Sequence, residues 1–88
     1  ANIFWIKNGT VYTPPLSEGC VAGVLRRYLM SDIAVVEKKL SVEELLLADE
    51  VFLTNAIKRM RWVSNMGDVF YKNEQTKAIY HSCFDLAE

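Results

Sequence analysis

The dipeptide Asn8-Gly9 constrains this chain more than any other pair of residues. Before it, Asn2-Ile3-Phe4-Trp5-Ile6-Lys7 is dense in β-branched and aromatic side chains, and after it comes Thr10-Val11-Tyr12-Thr13. A two-residue hairpin turn needs positive φ at both central positions, which asparagine and glycine accept. The sequence therefore predicts two antiparallel strands at its start. Pro14-Pro15 ends the second strand, because proline has no N–H to give to a ladder.

Beyond the hairpin, the pattern alternates. Leu16 to Gly23 reads as a loop with Ser17 as a possible cap, and a helix follows from about Gly23 to Met30. Its apolar stripe is predicted at Val24, Leu25, Tyr28 and Leu29, with Arg26 and Arg27 off it. Ile33 to Leu40 reads as a short strand. Ser41-Val42-Glu43-Glu44 is a capping box, in which the serine and the glutamate three residues on satisfy each other's backbone donors; the helix it opens ends near Asp49. Val51-Phe52-Leu53-Thr54 is a short apolar run expected as a buried strand, with Asn55-Ala56-Ile57 a turn at its carboxyl end. Arg61-Trp62-Val63 reads as a strand and Asn65-Met66-Gly67-Asp68 as a turn. Asn73 is placed to cap a last helix running to Leu86. The order ββ-α-β-α-β-β-α is mixed α/β rather than strict βαβ alternation.

The stretch Gly19-Cys20-Val21-Ala22-Gly23-Val24-Leu25 carries the clearest binding signal. A glycine turn running into a helix leaves backbone N–H groups unpaired at the positive end of the helix dipole. Gly23 gives a ligand close access to the main chain, and a phosphate or carboxylate is the matching guest. The same residues also suit a plain turn before a helix.

Composition bounds the alternatives. With 88 residues the chain is one domain at most, and such a chain buries only about 60% of its unfolded surface. Yet 51% of it is hydrophobic, which points to some apolar surface that meets a partner or another part of the same protein. Ten basic residues against eleven acidic ones give no nucleic-acid or membrane footprint. Cys20 and Cys83 match no zinc spacing and read as reduced thiols of a cytoplasmic protein, with Cys20 reactive only if an anion site lowers its pKa. No run approaches the roughly 18 apolar residues of a membrane span. The chain enters a strand pattern directly from Ala1, and it is expected to be a piece of a longer protein.

His81 reads as a surface histidine of the last helix. Glu43, Glu44, Asp49 and Glu50 read as capping and helix-boundary acids rather than a metal site. Trp5, Tyr12 and Trp62 are expected in the core, since no basic groove accompanies them.

Five motifs in order carry a resemblance. Asn2-Ile3-Phe4-Trp5, Thr13-Pro14-Pro15, the Gly23-Val24-Leu25-Arg26 helix start, Ser41 to Glu44, and Ala48-Asp49-Glu50-Val51-Phe52-Leu53-Thr54-Asn55-Ala56 together resemble the C-terminal part of class IV aminotransferases. These are the fold-type IV pyridoxal-phosphate enzymes, and they include 4-amino-4-deoxychorismate lyase and the branched-chain and D-amino-acid aminotransferases. The resemblance implies that residues 1–88 are a single domain, the C-terminal part of such an enzyme. It implies that Val21 packs on the cofactor ring and that the amides of Gly23, Val24 and Leu25 hold the phosphate of pyridoxal 5'-phosphate. Asn55, Ala56 and Ile57 would add contacts to the phosphate and a substrate carboxylate. Relatives often carry a hydroxyl where this chain has Ala56, and Asn55-Ala56 looks more like the lyase branch than the branched-chain branch.

Arg59 and Arg61 share a face if their segment is a strand, and they read either as a solvated rim or as a bidentate grip on an amino-acid-like dicarboxylate. By the resemblance, the Schiff-base lysine, the acid paired with the pyridine nitrogen and a phosphate-gripping arginine all lie upstream of Asn2. Lys7, Lys38, Lys39, Lys58, Lys72 and Lys77 do not match the catalytic lysine, so no catalytic residue is expected in this chain, and alone it should be inactive. The intact enzyme would release pyruvate and 4-aminobenzoate, or transaminate a branched-chain or D-amino acid, as a cytoplasmic homodimer. The alternative of another class is a non-catalytic α/β domain that binds an anion or a partner.

Overall fold

A computed structural model of the chain describes residues 2–18, 23–55 and 59–84, with the side chains of Glu18, Arg59 and Phe84 outside that description. Its centre is β1 (Asn2–Lys7), which pairs antiparallel with β2 (Thr10–Thr13) on one side and β4 (Glu50–Asn55) on the other. The turn between β1 and β2 has φ 52° at Asn8 and 80° at Gly9, the left-handed pair that the hairpin requires. A short edge strand, β3 (Val35–Glu37), lies parallel to β2, and β5 (Arg59–Trp62) runs antiparallel to β4. The sheet order is β3-β2-β1-β4-β5.

Both faces of β1 are covered, which explains why its sequence is a continuous apolar run rather than an alternating one. One face carries Phe4, Ile6, Val11, Phe52 and Met60 against Leu29 of α1 (Val24–Asp32) and Cys83 of α3 (Glu74–Phe84). Phe4 and Phe52 are register partners, and their rings stack with centroids 5.0 Å apart. The other face carries Trp5, Val51 and Ala48, with Tyr12 and with Leu45 of α2 (Val42–Leu47) packed around them.

Acidic side chains tie these elements together. The buried Glu50 carboxylate accepts from the amides of Gln75 (2.9 Å) and Thr76 (2.7 Å) and from the Thr76 hydroxyl (2.7 Å). Asn73 stands at the N-cap position that the sequence predicted, its carbonyl accepting from Lys77 N, and the Glu50 carboxylate supplies capping bonds to the second and third residues of α3. Asp49 accepts from the Asn8 amide at 2.9 Å and pins the hairpin turn to the start of β4. The Ser41 hydroxyl accepts from Glu44 N, as the capping box predicts, while the Glu44 carboxylate reaches Lys38 Nζ at 2.7 Å and raises its pKa.

Four expectations need correction. α1 continues to Asp32 and its buried face only partly follows the predicted stripe: Leu29 is fully buried, but Val24 is 79% exposed whereas Arg26 is only 5% exposed. Arg26 is drawn inward because its Nη2 donates to the Pro14 carbonyl and to Glu37, both at 2.9 Å. The Ile33–Leu40 strand shrinks to Val35–Glu37, since β3 finds pairing only along the short β2. A small hairpin, β6 (Asn65–Met66) with β7 (Val69–Phe70), flanks the predicted Gly67-Asp68 turn and adds two strands to the expected order. Trp62 is half exposed at the last strand of the sheet, with Lys77 Nζ 5.1 Å from its ring centroid.

Candidate functional site

The start of α1 is open. Gly23 is its N-cap, in an extended conformation (φ −77°, ψ 157°), with no side-chain capping bond and no acid in the first turn. The first intrahelical bond runs from Arg27 N to Gly23 O at 3.2 Å. The amides of Val24, Leu25 and Arg26 therefore have no helical acceptor, and they point out at the positive end of the dipole. Gly23's φ is ordinary, so the backbone does not demand glycine here; the residue leaves the approach open.

Asn2 links this helix start to the rest of the site. Its amide nitrogen lies 3.6 Å from where a Gly23 Cβ would stand. Asn2 is also the register partner of Thr54 on β4, and Asn55 follows as the last residue of that strand. Directly opposed residues project from the same face of a sheet, so Asn2 and Thr54 lie side by side beneath the α1 face. Both are buried, at 7% and 1% exposure, and Asn2 Oδ1 and Thr54 Oγ1 have no hydrogen-bond partner.

Beside Gly23 is a cleft of about 180 Å³ lined by Leu16, Gly23, Arg26, Arg27 and Met30. That is below the roughly 300 Å³ at which pockets take a whole cofactor, but ample for an anionic group. Free amides, the dipole, the exposed Arg27 and the absence of any acid in the first turn make the end of α1 electropositive, and these residues fit a phosphate.

The remaining predicted residues distribute as follows. Gly23, Val24 and Leu25 form the helix start, and Asn55 stands at the same end of the sheet through the Asn2–Thr54 pair. Val21, Ala56 and Ile57, together with Cys20 and Lys58, lie outside the described residues. Arg59 and Arg61 alternate along β5, as a shared face requires, although only the Arg61 side chain is described; it is exposed. Arg61 pairs with Leu53, so it projects from the face opposite Thr54. A groove of about 370 Å³ runs along Met60, Arg61, Trp62 and Ser64. Sequence reasoning passed over Asn2 and Thr54, although a polar residue heading an apolar strand was a usable signal. His81 is exposed, edge-on to Tyr80.

Cys83 is buried and its thiol donates to Asp32 Oδ2 at 3.0 Å. Burial above all, and then that carboxylate, push its pKa up to about 12, so it has no thiolate chemistry near neutrality. No helix among the described residues is long and apolar enough to cross a membrane.

Comparison with known proteins converges on one family. The profile described as "Amino-transferase class IV" matches residues 1–66. The chain is 32% identical to an aminodeoxychorismate lyase of Bacillus subtilis over 83 residues, which is 89% of this chain and 28% of that protein. The branched-chain amino acid aminotransferase of Escherichia coli superposes with a TM-score of 0.88 at 30% identity, over 97% of this chain and 32% of that one. An aminotransferase from Brucella abortus, solved bound to the co-factor PLP, shares the fold with a TM-score of 0.89 at 22% identity, over 99% of this chain and 33% of that one. The chain thus spans about a third or less of the length of the proteins it matches. On both sequence and fold, this chain belongs to the class IV aminotransferase family.

Proposed function

We propose that this chain is the cofactor-phosphate and substrate-edge part of a pyridoxal-phosphate enzyme, residues 1–88 forming a single domain. The observation that carries the reading is the α1 start: a glycine N-cap, three amides without helical acceptors and no acid in the first turn, in a chain of this family. The amides of Gly23, Val24 and Leu25 would bind the phosphate, and Val21 would pack on the ring. Asn55, Ala56 and Ile57 would orient the substrate carboxylate through backbone donors, with Arg59 and Arg61 along the adjacent strand. When bound, pyridoxal phosphate supplies the electron sink that stabilises negative charge on the substrate. The chain's own residues do no proton transfer in this reading; they bind and orient.

For the intact protein the reading is an aminodeoxychorismate lyase-like reaction, supported by the Bacillus subtilis relative and by Asn55-Ala56. A branched-chain aminotransferase is the second reading, favoured by the close superposition on the Escherichia coli enzyme. The test is a titration of the 88-residue chain with pyridoxal phosphate and, separately, with pyridoxal, followed by borohydride trapping and peptide mapping. Saturable binding that needs the phosphate, without an adduct at one particular lysine, is expected. Equal binding of the two compounds contradicts the phosphate site, and a stoichiometric adduct on a single lysine contradicts the absence of a catalytic amine.

A further inference from the structure

We propose that Asn2 and Thr54 form the floor of the anion cup and hydrogen-bond the bound phosphate through their side chains. The inference rests on the phosphate-site reading above and extends it from backbone donors to two side chains. Three observations meet here. The α1 N-terminus presents amides without helical acceptors, at a Gly23 that carries no capping side chain. Asn2 points its amide nitrogen at that glycine, 3.6 Å from the position of a Cβ. Thr54, its partner across the β1–β4 ladder, is 99% buried with a hydroxyl that has no partner, and the amide oxygen of Asn2 has none either.

Two adjacent orphaned polar atoms inside a fold are costly, because each gave up water without a replacement bond. Among the described residues, the buried hydroxyls of Thr13 and Thr76 donate to the Ile3 carbonyl and to Glu50, whereas Trp5 Nε1 and Arg26 Nε share the lack of a partner with Asn2 Oδ1 and Thr54 Oγ1. The Asn2–Thr54 pair stands out because it sits under an open helix end. A phosphate seated on the α1 amides brings acceptor oxygens to the orphaned Thr54 hydroxyl and to the Asn2 amide N–H beside Gly23, while the Asn2 Oδ1, itself an acceptor, gains no bond from it. Charge-assisted bonds of this kind are the strong ones, so the cup would have a side-chain component.

The experiment measures the affinity of the 88-residue chain for inorganic phosphate and for pyridoxal phosphate, together with the thermal midpoint of the free chain. Thr54→Val keeps the shape and removes the hydroxyl. The free variant should be at least as stable as the parent, since an orphaned buried hydroxyl is replaced by a methyl group. Its phosphate affinity should fall about tenfold, the loss of one hydrogen bond to a charged group. Thr54→Ser, which keeps the hydroxyl, should retain affinity within about twofold. Asn2→Leu should weaken phosphate binding similarly, and it decides the matter if Thr54→Val does not fold. A merely structural role would move the midpoint and leave the phosphate affinity unchanged. Parent-like affinity in both Thr54→Val and Asn2→Leu overturns the floor while leaving the backbone cup standing. If the parent chain binds neither compound, the phosphate reading itself fails, and the floor fails with it.

Discussion

Glu50 shows how much of this fold hangs on single side chains. Its buried carboxylate takes three hydrogen bonds from the first turn of α3, two from backbone amides that would otherwise be orphaned. Glu50→Gln keeps the shape but aims an NH2 at one or more of those donors. The expected cost is about 3 kcal/mol, the scale of charge-assisted bonds in the interior, read as a drop in denaturant midpoint at unchanged m-value. Cys83 makes a different prediction. Its folded pKa of about 12 lies above the thiol's ordinary value of 9.0, so the folded state holds its proton more tightly than the unfolded chain does. The stability tied to that proton is complete below pH 9 and is lost as pH climbs from there through 12. Thermal midpoints of the parent should therefore fall across that window more steeply than those of Cys83→Ser, and the folded thiol should resist alkylation at pH 8.

At the level of elements, the β1–β2 hairpin is the most local piece of structure, and it isolates one term. Nothing lies within 4 Å of a Cβ built on Gly9, whose φ is +80°. Gly9→Ala should thus cost about 1 kcal/mol from backbone strain alone, measurable as a fall of roughly 4–8 °C in midpoint. That hairpin, the Ser41 cap and the buried β4 were legible in the sequence because each is set by neighbouring residues. α1 was legible as a helix but not in its orientation. Arg26 faces inward because Pro14 and Glu37, 12 and 11 residues away, supply its acceptors, and no periodicity within the helix records them. At the start of α3 the local candidate Asn73 does stand at the N-cap position, but the carboxylate that binds the helix amides comes from 25 residues upstream and left no local signal. The β6–β7 hairpin escaped notice because two-residue strands leave too little pattern to see.

For the whole molecule, the five-stranded order β3-β2-β1-β4-β5 depends on pairing β1 with β4, about 50 residues apart, and such pairing is invisible to local signals. That pairing makes the site: it sets Thr54 beside Asn2, and Asn2 lies against Gly23. The proposed anion site at the glycine start of α1 therefore rests on a local pattern, whereas its proposed floor rests on long-range strand pairing. The relatives are about three times as long as this chain, and the account assigns it binding rather than turnover. Its central claim, that the open end of α1 receives the cofactor phosphate, is tested most directly by following backbone amides in a 15N-resolved NMR titration with pyridoxal phosphate, with pyridoxal as the control. The account predicts saturable shifts at Gly23, Val24, Leu25 and Asn55 with the phosphorylated compound and none at these amides with pyridoxal. Shifts centred on the β5 groove at Met60 to Ser64, with the α1 amides unmoved, would contradict it.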